Sequence, residues 1–381
     1  MRRFYLLIVV LSSLHPVLAQ SGSITGFVTD LSTGQPVPSA NVFLSSASKG
    51  TQTNNLGAFV LSQIMPGEYE LVASFVGYET FVQKISISNN KQEVKIQLVK
   101  KTFELDEVVV TDKSNWARNS EIFKRVFIGH NIHAGKCTIL NPRLISFYYD
   151  EDKRELTASS EDFLIIENRG LGYRIKYLLK EFEYSQKTGS FFYSGHALYE
   201  ALPGRNRQVK QWKIRRKAAF LGSSMHFFRS IISNALLENG FVVQSLIKKE
   251  VPVESNERTQ VNIGIEADSL SAVEAVKRKT RFIRIIGKDT LAIRDLARRT
   301  DVKTLFALTC KTDLFVKLMT KQARNKYGPP SNISSAIVLL KERPVLFDLN
   351  GVLENPRSLI YSGAWSNGVS DWVPNDYVLG D

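Results

Sequence analysis

The residues best suited to chemistry in this sequence are cations. Between Ala201 and Leu237 there are eight basic residues and no acidic one: Arg205, Arg207, Lys210, Lys213, Arg215, Arg216, Lys217 and Arg229. Trp212 lies among them. A guanidinium can grip a phosphate or carboxylate through two parallel hydrogen bonds while stacking on a ring. The run Arg205, Arg207, Lys210, Trp212, Lys213, Arg215, Arg216 and Lys217 is therefore the candidate binding surface for an anionic partner. The alternative is a solvated strand face whose charges keep an edge from aggregating. A second stretch, Lys277 to Arg299, sets nine basic residues against Asp289 and Asp295.

Catalytic constellations are harder to assemble. A zinc peptidase needs His-x-x-Glu and a distant third ligand, because the metal takes three protein groups and a water. After residue 19 the histidines are His130, His133, His196 and His226, and none has Glu at the third position. His196 and Glu200 sit four apart in a strand-like context that does not aim both at one metal. His130-x-x-His133-x-x-x-Cys137 offers three ligand types on a glycine-containing loop without a fourth. Gly222-Ser-Ser-Met-His226 is not G-x-S-x-G. It reads as a helix start capped by Ser223 or Ser224, with His226 in the first turn. No phosphate loop or dinucleotide fingerprint is present. Neither a metal nor a cofactor is expected.

The elements that must position these groups begin with an export signal. Arg2 and Arg3 precede an apolar Leu6–Leu11, and Val17-Leu-Ala19 places small residues for cleavage after Ala19, so residues 1–19 read as a signal peptide. No later run is apolar for long enough to span a bilayer as a helix. The expected destination is the periplasm, the outer membrane surface or the exterior. The chain carries a net charge of +13, unevenly spread. Residues 20–112 hold 6 basic and 9 acidic residues, whereas 113–381 hold 42 and 28, a net +14. That shift divides the chain into modules 20–112 and 113–381. A cationic exported region meets anionic surfaces, such as lipopolysaccharide or acidic glycan, or an envelope protein, rather than nucleic acid. Cys137 and Cys310 make no disulfide framework. They form either one bridge or two separate buried thiols.

Residues 24–111 read as short strands separated by turn clusters, the pattern of a β-sandwich. The strings ITGFVTDLSTGQPVPSANVFL and GTQTNNLGAFVLSQIMPGEYELVASFVGYETF resemble the carboxypeptidase regulatory-like domain. The shared order is G-x-V-x-D, P-V-x-x-A-x-V, G-x-F and G-x-Y-x-L followed by G-Y. The resemblance implies a transthyretin-like sandwich of seven strands without catalytic residues. Such modules accompany zinc carboxypeptidases and precede the plug of TonB-dependent receptors, and Leu105–Thr111 resembles the segment that follows the module there. Residues 113–381 are too basic and irregular to be the receptor's barrel, so 105–111 is read as a last strand.

The second region reads as a β-rich α+β domain, making the chain mainly β. Lys113–Asn119 is expected to be a polar linker. A short helix should start at Ser120, present Ile122, Phe123, Val126 and Phe127, and stop at Gly129; a second should run from Ser224 to Glu238. Tyr173, Ile175, Tyr177 and Leu179 alternate as a half-buried strand whose parity slips before Phe182, as at a bulge. Further strands are expected at 282–286, 290–293 and 345–349, while 263–275 is ambiguous. Phe127-Ile-Gly129, Leu171-Gly-Tyr173, Trp212 with Arg215-Arg216, Gly222-Ser223 with His226-Phe227, and Tyr361-x-Gly-x-Trp365 resemble a group of bacterial envelope proteins that join this module to a further region. Three functions fit: a non-catalytic binding or scaffolding protein, an envelope hydrolase on glycan or peptide with an unrecognised site, and an accessory of an outer-membrane assembly.

Overall fold

The computed structural model describes residues 21–101, 113–252, 280–319, 333–340 and 344–380. The expected signal peptide at 1–19, the strand expected at 105–111 and the ambiguous 263–275 lie outside the described residues.

The first seven strands are β1 (Gly22–Asp30), β2 (Asn41–Leu44), β3 (Gly50–Gln52), β4 (Ala58–Ile64), β5 (Gly67–Ser74), β6 (Phe81–Ile87) and β7 (Lys91–Leu98). They form two sheets in the orders β4-β1-β7 and β3-β2-β5-β6, with β1 and β7 parallel. Ile24, Val28, Val42, Leu44, Leu71 and Ala73 fill the space between the sheets. Two ends of the sequence motif meet at Asp30. Its carboxylate accepts hydrogen bonds from Ser32, Thr33 and, at 2.8 Å, the Tyr78 hydroxyl. Those bonds, that from the Ser32 side chain foremost, hold the Asp30 carboxyl well below the usual carboxylate range.

The second region opens with α1 (Lys113–Ile128), followed by β8 (Cys137–Ile139), β9 (Ile145–Asp150), β10 (Glu155–Ser160), β11 (Leu164–Asn168), β12 (Tyr173–Ser185) and β13 (Phe191–Ala201). These strands make one six-stranded sheet in which β12 pairs with β11, β10 and β13. The slip in β12 is a register shift against β13 between Leu179 and Glu181. Helix α1 begins at Lys113, so the expected linker is its first turns. Trp116 explains the difference: its ring meets Phe147 edge-on, its Nε1 donates to the Ile145 carbonyl at 3.3 Å, and Arg143 stacks 4.1 Å from the ring centre. Farther along, Phe123 and Phe127 pack against Phe147, Phe182 and Tyr177. Gly129, at φ +93°, ends the helix where the expectation placed it.

Next come α2 (Asn206–Phe220) and α3 (Ser224–Ile232). Helix α3 stops six residues before the expected end because Asn234 turns left-handed at φ +56°. Then follow β14 (Phe241–Pro252), β15 (Thr280–Thr290), α4 (Ile293–Leu296), β16 (Ala297–Arg299), β17 (Leu305–Leu308), β18 (Asp313–Leu318), β19 (Ile333–Leu339), β20 (Leu346–Asp348) and β21 (Leu359–Gly363). They form a five-stranded sheet, β15-β14-β18-β19-β21, and a three-stranded one, β16-β17-β20. The expected strand at 290–293 is corrected: β15 ends at Thr290 and Ile293 opens the short α4. Phe227, Phe228 and Ile231 of α3 are buried against this sheet pair. Cys137 and Cys310 belong to different apolar clusters and are free thiols.

The sandwich and the six-stranded sheet share an apolar seam. Phe43 and Val72 lie on the face of β2 and β5 opposite the sandwich core, and they pack with Phe163, Leu178 and Leu198. Strand β2 is thus buried on both faces, which accounts for the unbroken apolar run Val42-Phe-Leu44. We expect Leu198→Ala to cost about 2–4 kcal/mol in urea unfolding, as buried truncations do. The exposed Leu237→Ala should stay within about 0.5 kcal/mol.

Candidate functional site: a cationic helix

The predicted anion-binding residues fall on α2, with Arg205 just before it as the N-cap, a helix rather than the strand face considered above. Fifteen residues at 3.6 per turn separate them into two sets. Trp212 and Arg216, one turn apart, point inward and are only 3% and 8% exposed. The indole Nε1 donates to the Arg169 carbonyl at 2.9 Å. Arg216 forks onto the carbonyls of Leu171 and Gly172, both at 2.8 Å, while its guanidinium stacks 3.9 Å from the Tyr173 ring centre. Arg215 adds a bond of 3.3 Å to the Gly170 carbonyl. All three residues thus bind the 169–172 turn. Gly172 holds φ +74°, and a Cβ there would lie 2.2 Å from the Trp212 ring. This turn needs glycine both for its conformation and for the close approach.

The other set faces outward: Arg205, Arg207, Lys210, Lys213 and Lys217 are exposed, with Ile214 among them at 47%. Arg207, Lys210, Lys213 and Lys217 follow at spacings of three and four, the period of a single helix face. Like charges at that spacing destabilise a helix by about 0.2–0.5 kcal/mol per pair. The helix has no acidic residue in its first turn to offset them. The run is one stretch in sequence, but Trp212 and Arg216 are buried behind the helix and leave a narrower stripe. The missed signal was that Trp212 and Arg216 are four apart, a buried face of a helix.

The other candidate groups make contacts within the fold. Ser223 caps α3 by accepting from the His226 amide at 3.1 Å, as expected. The Gly222 N–H donates to His226 Nδ1, and the ring lies between Phe220 and Phe241. Burial, then Arg229, depresses its pKa to about 4. His133 is likewise held at about 4 by burial, Arg215 and Lys136. His196 lies 3.3 Å from Glu70 and 3.2 Å from the Ser45 hydroxyl, bridging sheet and sandwich. Among the described residues no three His, Cys, Asp or Glu side chains are grouped to hold a metal, and no helix is long and apolar enough to cross a membrane. The second basic stretch is split, in its described part, among β15, α4 and β16.

Residues 24–110 match the family model of the CarboxypepD_reg-like domain, the module that the first motifs resemble. No curated protein matches the chain. Among solved structures, a type II cohesin–X-dockerin complex from Acetivibrio cellulolyticus is similar over 26% of this chain and 71% of its own, at 14% identity and a TM-score of 0.20. A candidate carbohydrate-binding protein from Bacteroides uniformis covers 48% and 79%, at 10% identity and 0.19. A candidate membrane-associated protein of unknown function from Bacteroides fragilis covers 90% and 93%, at 11% identity and 0.18. At these values none of the three transfers a ligand or an activity.

Two predictions follow from the split faces and the buried imidazoles. Arg216→Lys should destabilise the fold by about 2 kcal/mol or more, since an ammonium cannot fork onto two carbonyls and stack; thermal unfolding measures it, with the exposed Lys217→Ala as the near-neutral comparison. His226 is neutral in the fold down to about pH 4 but takes a proton near 6.5 once unfolded. Its contribution is therefore fully present above pH 6.5 and shrinks as pH falls toward 4. His226→Gln should flatten the dependence of unfolding free energy on pH across that window, read from urea titrations at successive pH values.

Proposed function

We propose that this chain is a non-catalytic binding or scaffolding protein of the bacterial cell envelope, exported by residues 1–19, that holds an anionic surface on the outer face of α2. The observation that carries the reading is the stripe Arg207, Lys210, Lys213 and Lys217, with Arg205 at its start, on a helix pinned from behind by Trp212 and Arg216. A row of like charges lowers helix stability, so its presence on a rigid support favours a role in attraction. Each such cation contributes about 1 kcal/mol near an anionic surface. The ligand chemistry is a dense array of phosphates or carboxylates, as on lipopolysaccharide or an acidic glycan. The family match, to a module whose resemblance implies no catalytic residues, supports binding over hydrolysis. Part of the sandwich's outer face, at Phe43 of β2 and Val72 of β5, is taken up by contact with the six-stranded sheet.

Stability and binding should move in opposite directions here. Lys213→Glu creates favourable pairs with Lys210 and Lys217, so thermal stability should hold or rise slightly. Lys210→Glu/Lys213→Glu/Lys217→Glu should weaken co-sedimentation with lipopolysaccharide micelles, or retention on polygalacturonate, by a hundredfold or more at low salt. The two arms separate phosphate from carboxylate as the source of charge. Undiminished binding by the triple variant to both would contradict the proposal.

A further inference from the structure

A groove of about 510 Å³ opens where the sandwich meets the six-stranded sheet, lined by Asn41, Thr51, Gln52, Lys176, Tyr199 and Glu200 among others. Its two walls are strand edges. Among the described residues, β3 is the last strand of its sheet and β13 the last of its own. The hydrogen-bond alternation of each ladder shows which backbone groups face the groove. On β3, Thr53 N–H bonds the Ala40 carbonyl and the Lys49 carbonyl accepts from Leu44, so residues 49, 51 and 53 turn toward β2. Gly50 and Gln52 therefore turn their N–H and C=O outward, the Gln52 carbonyl accepting only a long 3.5 Å bond from the Thr51 hydroxyl. On β13, Tyr199 N–H bonds the Ala47 carbonyl and the Ala197 carbonyl accepts from Ser46, away from β12. The same parity turns the Tyr199 C=O and the Ala201 N–H and C=O into the groove.

The two edges are joined at one end and diverge from it. Ala47 and Leu198 form a parallel bridge, and the Leu198 methyls lie so close to Gly50 that a Cβ there would meet them at 2.7 Å. Beyond that wedge the ladder stops although both edges continue. Exposed edges with free donors and acceptors are templates for another strand. Strand β3 is three residues long, so a segment paired along it is short. The side chains do not select a charged ligand, since Lys176 and Glu200 neutralise each other at 2.6 Å. Nor do they offer a stacking platform for a sugar, since Tyr199 is 3% exposed.

We infer that this groove takes a short extended peptide segment of a partner protein, bound by strand addition to β3 and β13. The surface is separate from the α2 stripe and stands or falls independently of it. Proline at Gln52 or Ala201 deletes a groove-facing N–H while sparing the N–H groups that hold the native ladders. The test is to pan the full chain against a displayed library of linear peptides and measure the enriched sequences as synthetic peptides. Supporting the inference, enriched peptides bind the wild type and lose tenfold or more on both Gln52→Pro and Ala201→Pro, whose thermal unfolding stays near wild type, and they lose binding when alternate amides of the peptide are N-methylated. Two results overturn it: no enriched peptide depends on these positions, or N-methylation leaves binding intact. A neutral oligosaccharide array that binds through Asn41, lost in Asn41→Ala, without any such peptide, also overturns it. Should a proline variant unfold, the N-methylated peptides decide on the wild type alone.

Discussion

The architecture depends on one insertion: the turn between β2 and β3 reaches out of the sandwich and completes the rest of the molecule. Ser46 and Ala47 exchange backbone hydrogen bonds with Ala197 and Tyr199, extending the edge of β13. On the other side the Ser46 carbonyl accepts from the Asn375 amide at 2.7 Å, and Asp376 accepts from both the backbone and the hydroxyl of Ser48. Arg229 then ties the tail to α3, donating to the carbonyls of Asn350, Asn375 and Tyr377. A guanidinium with three carbonyl partners is a demanding arrangement; charge-assisted bonds of this kind contribute about 1.5–3 kcal/mol each, and leaving one unmade costs as much. The apolar seam of Phe43, Val72, Phe163, Leu178 and Leu198 closes beneath it.

With the turn in place, the β12–β13 hairpin becomes a common frame. Its edge receives the sandwich. The turn entering β12, residues 169–172, receives Trp212, Arg215 and Arg216 from α2. The cationic stripe and the groove between β3 and β13 are therefore carried by the same pair of strands. A rigid frame matters for a binding surface because immobilising side chains in advance lowers the entropic cost of association.

Local elements were legible in the sequence where a single physical signal dominated. The sandwich strands, the bulge in β12, the Ser223 cap and the Gly129 stop each follow from periodicity or a special residue. The basic run was visible as composition, yet its division was not. Arg216 and Lys217 are neighbours of the same charge; only the Tyr173 ring and two carbonyls from residues 171 and 172, far away in sequence, make one a brace and the other a surface. Trp116 likewise turned an apparent linker into helix through contacts with Phe147 and Arg143 that no local pattern encodes. The inter-sheet seam did leave a trace, in consecutive apolar residues at 42–44 and 71–73 where a sandwich strand with one solvated face would alternate.

Native-state hydrogen exchange at the amides of Ser46, Ser48, Tyr199 and Asn375 tests the central claim most directly. If the β2–β3 turn locks the sandwich to the β13 edge and the tail, these amides should exchange only with global unfolding, as slowly as those in the middle of β12. Exchange at the rate of an open surface loop, with the middle of β12 still protected, would contradict it and would make the sandwich a separately moving bead.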